Sequence, residues 1–178
     1  MPIAWDRARQ CSFDRLLAGE GIAAIAMDVD GVLTDGSFIW GPSAEEYKKF
    51  SFADVMGLSR ARKAGLYLGL ISGEDSPLID RFAEKVGIVS ISKGCKDKGQ
   101  ALQAFAQQCG TDLQRVAYVG DDVNDLPALA LAGLSIAPAN AQPAVKMAAH
   151  FVTQHAGGDG AVREVIEMIL AGRRPLTL

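Results

Sequence analysis

The chain of 178 residues is poor in cysteine, histidine and aromatic residues, and each shortage removes a class of protein. Its three cysteines, Cys11, Cys95 and Cys109, form no Cys-x-x-Cys pair and leave one over in any pairing. That excludes a disulfide framework and a thiolate zinc site, and reads as reduced thiols in a cytoplasmic protein. His150 and His155 have no partner at metal-ligand spacing and read as surface residues. There is no apolar run of about 18 residues and no secretory signal pattern, so neither a spanning helix nor a membrane partner is expected. Nor is there an excess of basic charge: 18 Lys+Arg stand against 21 Asp+Glu, a net charge of −3. A nucleic-acid partner would want a basic face, so it is excluded, while small anionic substrates stay open. Internal repeats and low-complexity tracts are also missing.

What remains is an ordinary globular composition, 49% apolar and 22% charged, sized for one domain over residues 1–178. Short unbroken apolar runs at 22–27, 66–72, 87–92, 115–120 and 134–139 read as strands buried on both faces. Helical stretches at 53–65, 76–87, 97–110, 125–133 and 161–170 lie between and after them. Ser76 and Pro77 open one of these, and Gly65 and Gly87 close two. Strands alternating with helices imply an α/β fold, a Rossmann-like parallel sheet flanked by helices. Residues 36–52 break the rhythm. They alternate apolar and polar around Gly41-Pro42 and read as a projecting β-hairpin, on which Phe38 and Trp40 are expected to bury against another chain. The opening ten residues read as a helix or a loose arm, and "AGGDGA" at 156–161 as a loop or a mobile lid.

In open parallel sheets, ligands bind beyond the carboxyl ends of the strands, and there this chain places its acids. The first strand runs into "DVDGVLTDG", with Asp28 and Asp30 two apart and Gly31 allowing a sharp turn. The second ends in Ser72-Gly73. Lys98 opens a helix, where a cation is locally unfavourable beside the positive dipole end. The fourth strand ends in Asp121, Asp122, Asn124 and Asp125. Converging carboxylates need a cation, and hard oxygen ligands without Cys or His select Mg²⁺. In such a site Asp28 can attack phosphorus and Asp30 can exchange protons with the leaving group and with water. Alone, the Asp28/Asp30 pair could equally be a solvated turn. Lys48 and Lys49 read either as solvated charges or as guides for an anionic substrate.

"DVDGVLTDG", "ISG", "DKG" and "GDDVND", in this order and spacing, resemble the four motifs of the haloacid dehalogenase superfamily of phosphatases, over about residues 22–170. The resemblance implies Asp28 as nucleophile, Asp30 as acid/base, Ser72, Gly73 and Lys98 as phosphate-binding groups, and Ser72 and Lys98 as catalytic. It implies Mg²⁺ held by Asp28, the Asp30 carbonyl and Asp121, with Asp122 and Asp125 supporting the metal site and the lysine. About 40 residues separate Asp30 from Ser72 and about 25 separate Ser72 from Lys98, too few for an inserted cap domain. A capless site is open and must act on a macromolecule or be covered by another subunit.

The stretch from Asp28 to Gly65 and the tail "GGDGAVREVIEMIL" resemble the 3-deoxy-D-manno-octulosonate 8-phosphate phosphatases. That resemblance implies a phosphorylated sugar acid as substrate. It also implies a homotetramer in which a neighbour's hairpin and C-terminal tail (about 156–178) help cover the site. Two departures keep an alternative open. Gly73-Glu74 stands where that family usually has Gly-Arg, and Asp54-Val55-Met56-Gly57 where it has Asp-Gly-aromatic-Gly. Glu74 together with Lys85 is more similar to the nonulosonate (sialic-acid-type) 9-phosphate phosphatases, so Glu74, Lys85 and Asp54 are candidate specificity residues. A phospho-receiver would place its acceptor after the third strand and gain nothing from Asp30. A non-catalytic module would show a broken motif, and none is broken.

Overall fold

A computed structural model of the chain describes residues 21–172. Cys11, the opening ten residues and the tail beyond 172 lie outside the described residues. Strand β1 (Ala24–Met27) enters the centre of a six-stranded parallel sheet. The chain leaves it for an arm whose two short strands, β2 (Ile39–Trp40) and β3 (Glu46–Tyr47), pair antiparallel. Helix α1 (Phe52–Lys63) then leads to β4 (Tyr67–Ile71), α2 (Pro77–Val86) to β5 (Ser90–Ser92), and α3 (Lys98–Gln108) to β6 (Val116–Val119). A 3-10 turn (Val123–Asp125) and α4 (Leu126–Leu131) precede β7 (Leu134–Ala137). Helix α5 (Pro143–Ala148), β8 (Phe151–Val152) and α6 (Ala161–Gly172) complete the order. The sheet runs β5-β4-β1-β6-β7-β8. The expected Rossmann-like α/β fold is observed, with two additions: α5 and the edge strand β8.

The sheet is covered on both faces, which explains its unbroken apolar strands. Alternation along β1 sends Ile25 and Met27 into one core, shared with Leu58 of α1, Ile79 of α2 and Val162 and Ile166 of α6. Ala24 and Ala26 face the other core, with Leu102 and Phe105 of α3 and Leu129 of α4. The small side chains on that face let α3 come close. A Cβ on Gly69 of β4 would stand 2.6 Å from the Phe105 ring.

Helix starts follow the capping signals in the sequence. Ser76 accepts a hydrogen bond from the Leu78 main-chain N–H, and Asp97 from that of Gln100. The arm is a hairpin as expected, but its ladder is only two residues per strand, Ile39 opposite Tyr47 and Trp40 opposite Glu46. Phe38, Ile39, Trp40 and Tyr47 are all exposed, Trp40 by 73%. No helix among the described residues is long and apolar enough to cross a membrane.

Candidate active site at the carboxyl edge of the sheet

The strand order reverses between β1 and β6, and the crevice at such a switch point receives the ends of both strands. Asp28 follows β1 directly and Asp121 follows β6 by one residue. Lys98, the first residue of α3, reaches across to them. A cavity of about 380 Å³ opens here, lined by Asp28, Asp30, Ser72, Glu74, Lys98 and Asp121 among others. A larger hollow of about 500 Å³ lies at the amino ends of β4 and β5, but no carboxylate lines it.

Lys98 is 2% exposed, and its Nζ stands 2.9 Å from Asp28 Oδ2 and 2.7 Å from Asp125 Oδ1. Burial pulls the ammonium's pKa down; the two carboxylates outweigh that and hold it above the ordinary lysine value. Asp125 is fully buried and every acceptor position on it is taken. Its Oδ1 accepts from Lys98 and from the Tyr118 hydroxyl at 2.7 Å. Its Oδ2 accepts from the main-chain N–H groups of Asp121 at 3.0 Å and Asp122 at 3.2 Å.

The remaining acids are short of partners. Burial and the Asp125 charge push the Asp28 carboxyl up to about 7, against the pull of Lys98. Burial, then Asp28 and Asp125, push Asp121 up to about 7 as well. Asp121 Oδ1 is buried with no hydrogen-bond partner among the described residues. Carboxylate oxygens of Asp28, Asp121 and Asp125 lie within 4.8 Å of one another. The donor set is all oxygen and the local charge is negative, so the residues fit a small hard cation. Because Asp125 already accepts four hydrogen bonds, Asp28 and Asp121 are the side chains left to bind it. Gly31 makes room for this. Its φ is +86°, and a Cβ there would strike the Asp121 carboxylate.

Ser72 is buried at the end of β4, and its Oγ accepts the Glu74 main-chain N–H at 3.1 Å. The hydroxyl proton is thereby free to point into the cavity. Asp30 places Oδ1 2.5 Å from the Nζ of Lys48, while its Oδ2 is buried without a hydrogen-bond partner among the described residues.

The structure thus gathers Asp28, Asp30, Ser72, Gly73, Glu74, Lys98 and Asp121 in one cavity, with Asp125 directly beneath. Three expected residues do other work. Asp54 is buried under the amino end of α6, where its Oδ1 accepts the Arg163 N–H at 2.8 Å and its Oδ2 that of Gly160 at 3.3 Å. It satisfies N–H groups that a helix start leaves unpaired, so it is not available to a substrate. Lys85 lies roughly 14 Å along α2 from its cap and lines a separate groove with Glu46, Tyr47 and Arg81. Asp122 lines the rim, but its Oδ1 caps the following 3-10 turn through the Val123 N–H at 2.6 Å.

Of the two readings of residues 156–161, the structure shows a loop. Gly157 and Gly158 lie buried beneath the turn that carries Asp28 and Asp30, with the Gly158 N–H donating to the Val32 carbonyl at 3.1 Å. Sequence reasoning missed Tyr118, whose signal is a lone hydroxyl in an apolar strand. It missed Asn140 too, whose amide donates to the Gly31 carbonyl at 2.9 Å and accepts from the Gly157 N–H at 2.6 Å.

A parallel sheet with an Asp-x-Asp turn after its central strand, a buried lysine and paired acids after the next defines a haloacid dehalogenase-like hydrolase. The profile of that family matches residues 74–166, and the chain belongs to it. The 3-deoxy-D-manno-octulosonate 8-phosphate phosphatase of Escherichia coli (strain K12) is 35% identical over 165 residues, covering 93% of this chain and 88% of the relative. The Moraxella catarrhalis phosphatase of the same name has been solved in complex with magnesium ion, phosphate ion and KDO. It matches with a TM-score of 0.85 and 36% identity over 92% of each chain. The cobalt-bound enzyme of Haemophilus influenzae matches at 0.84 and 36%, over 89% of this chain and 91% of that one.

Proposed function

We infer that this protein is a Mg²⁺-dependent phosphatase that hydrolyses 3-deoxy-D-manno-octulosonate 8-phosphate through an aspartyl-phosphate on Asp28. The observation that carries the reading is the convergence of Asp28, Lys98 and Asp121 over a fully bonded Asp125, in a chain so similar to phosphatases of that sugar acid. Asp28 and Asp121, with the Asp30 carbonyl, would hold Mg²⁺, which when bound supplies positive charge to offset that of the phosphoryl oxygens.

Lys98 orients the Asp28 carboxylate through Oδ2. That carboxylate attacks phosphorus, and the bond from phosphorus to the sugar oxygen breaks. Asp30 gives a proton to the departing alkoxide. The Ser72 hydroxyl and the Gly73 backbone bind the phosphoryl group. Asp30 then takes a proton from water, the water oxygen bonds to phosphorus, and the bond to Asp28 breaks to release phosphate.

Among the described residues no segment caps the cavity. We place the arm's exposed Phe38, Ile39, Trp40 and Tyr47 at contacts within a homotetramer, which light scattering tests and a monomer would refute. A cytoplasmic location fits the free thiols of Cys95 and Cys109. The nonulosonate 9-phosphate alternative needs Glu74 and Lys85 at one rim, and only Glu74 lines the cavity. Phosphate release from the two sugar acid esters with Mg²⁺, side by side, decides. The octulosonate ester is expected to be preferred at least about tenfold in kcat/KM, or about 1.4 kcal/mol. A preference for the nonulosonate ester overturns the assignment.

A further inference from the structure

Lys48 and Lys49 sit side by side just beyond β3, yet only one is solvated. Lys49 is exposed and pairs with Asp35 at 3.3 Å. The Lys48 side chain is 3% exposed, and its Nζ lies 2.5 Å from Asp30 Oδ1 and 3.3 Å from both Glu74 Oε2 and Glu46 Oε1. The Phe38 ring stands 5.8 Å from the same ammonium. Three carboxylates from three separate segments converge on one cation: the turn after β1, the loop after β4, and the arm.

We propose that Lys48 is a positioning residue of the phosphatase reaction: it ties up Oδ1 of Asp30, so that Oδ2 is the oxygen that exchanges the proton, and it holds the Glu74 carboxylate at the substrate rim. The inference deepens the function given above and rests on Asp30 as acid/base. A carboxylate turning freely about its last torsion presents either oxygen. Here Oδ1 is engaged by Lys48 and, at 3.4 Å, by the Thr34 hydroxyl, so a turn would break both contacts. The Thr34 oxygen already accepts the Gly31 and Gly36 N–H groups, which aims its proton at Asp30. Oδ2 is left without a hydrogen-bond partner among the described residues, so its lone pairs are uncommitted before substrate arrives.

Glu74 has its own reason to need Lys48. A bare carboxylate at the rim would repel a phosphorylated sugar acid, and Lys48, one charge shared among three carboxylates, offsets part of that repulsion. Burial opposes the Lys48 charge, but Asp30 and Glu74 more than offset it.

The test uses Lys48→Met and Lys48→Arg, each with and without Asp30→Asn, in the full chain with Mg²⁺. Turnover is measured on an alkyl ester (the sugar acid phosphate, or glycerol phosphate if wild type does not take it) and on p-nitrophenyl phosphate, whose leaving group needs no proton. Lys48→Met is expected to lower kcat/KM on the alkyl ester about 10- to 100-fold, and on the aryl ester less than about threefold, because kcat/KM ends at release of the leaving group and leaves out the later step in which Asp30 acts as base. Lys48→Arg is expected to recover most of the loss. Beside Asp30→Asn, Lys48→Met is expected to add less than about a twofold change, because the oxygen it positions is gone. Should Lys48→Met fail to fold, Lys48→Gln carries the same comparison.

Equal losses on both esters, a change confined to KM, or an undiminished loss beside Asp30→Asn would overturn the proposal and make Lys48 a pin for the arm. A wild type inactive on the sugar acid but showing the ester-selective loss on glycerol phosphate would instead refute the substrate and leave Lys48 in its role.

Discussion

Asp125→Asn changes almost no volume, yet it is expected to be among the most damaging substitutions in the protein. All four groups around the side chain are donors: the Lys98 ammonium, the Tyr118 hydroxyl, and two main-chain N–H groups. An amide has one acceptor oxygen. Turned either way, its NH₂ confronts Lys98 or the two N–H groups, and only the Tyr118 hydroxyl can reverse its role. Hydrogen bonds to a charged partner contribute about 1.5–3 kcal/mol each, and breaking a buried ion pair from one side costs about 3–5 kcal/mol. Relief of like charge works the other way, since Asp125 is one cause of the raised pKa of Asp28 and of Asp121. In both it ranks behind burial, which the substitution leaves in place, so the loss wins. The expected net is about 3–5 kcal/mol, a fall in Tm of roughly 6–20 °C for a chain of this size. Thermal melts in EDTA measure it, with Asp122→Asn as control. That residue is exposed, and asparagine caps a helical turn as well as aspartate, so its Tm is expected to hold within about 2 °C. If Asp125→Asn melts like wild type but loses Mg²⁺ affinity, Asp125 is a metal ligand and the argument from its filled acceptors is wrong.

Asp28→Asn is expected to lower phosphate release by at least about a thousandfold with little change in Tm, and surviving turnover would remove Asp28 as nucleophile. Asp28 and Asp121 have folded pKa values of about 7, raised from 3.8. Stability from two such groups is fully present below about pH 4 and is lost as pH rises through about 7. The metal-free protein is therefore expected to lose Tm between pH 6 and 8 and Mg²⁺ to restore it, while a metal-free Tm as high at pH 8 as at pH 6 would contradict the raised pKa values. Truncation at Gly157 is expected to unfold the protein, not to reduce sugar acid turnover selectively. It removes Val162, Val165, Ile166 and Ile169, at about 1.5–3 kcal/mol each, which is comparable to a whole domain's stability; a truncated chain with native circular dichroism would refute this.

The sheet and most of the site were legible because the two are linked. A strand buried on both faces must be apolar throughout, and the acids follow it directly, as Asp28 follows Met27 and Asp121 follows Gly120. What escaped notice depends on contacts between distant segments. Strand β8 is two residues long and carries no period of its own. Asp54 stands within a motif that reads as substrate-binding, but its partners are 106 and 109 residues further along. Lys48 and Lys49 are the same residue type in adjacent positions, and only the return of the arm over Asp30 buries one of them. Tyr118 alone offered a local signal, a hydroxyl in "RVAYVG" that must find a partner once buried.

The glycines near residue 157 show how composition alone can mislead. A glycine-rich run has many unfolded conformations and reads as mobile, but glycine is also the residue that lets two backbones touch. A Cβ on Gly157 would fall on the Gly31 carbonyl and within 2.8 Å of that of Thr34, and one on Gly158 within 2.7 Å of the Thr34 main chain. Asn140 bridges the same two strands of chain. The turn bearing Asp28 and Asp30 is therefore held from below by residues 140–158 and from the side by Lys48. Catalysis by fixed charges requires this, because carboxylates that must first be ordered waste the interaction. Gly157 and Gly158, in the run expected as a loop or a mobile lid, thus lie underneath the site. Over the open face stands the exposed apolar arm, tied to Asp30 through Lys48, so that under the proposed function a neighbour docking on the arm would act on the acid/base through that one ammonium.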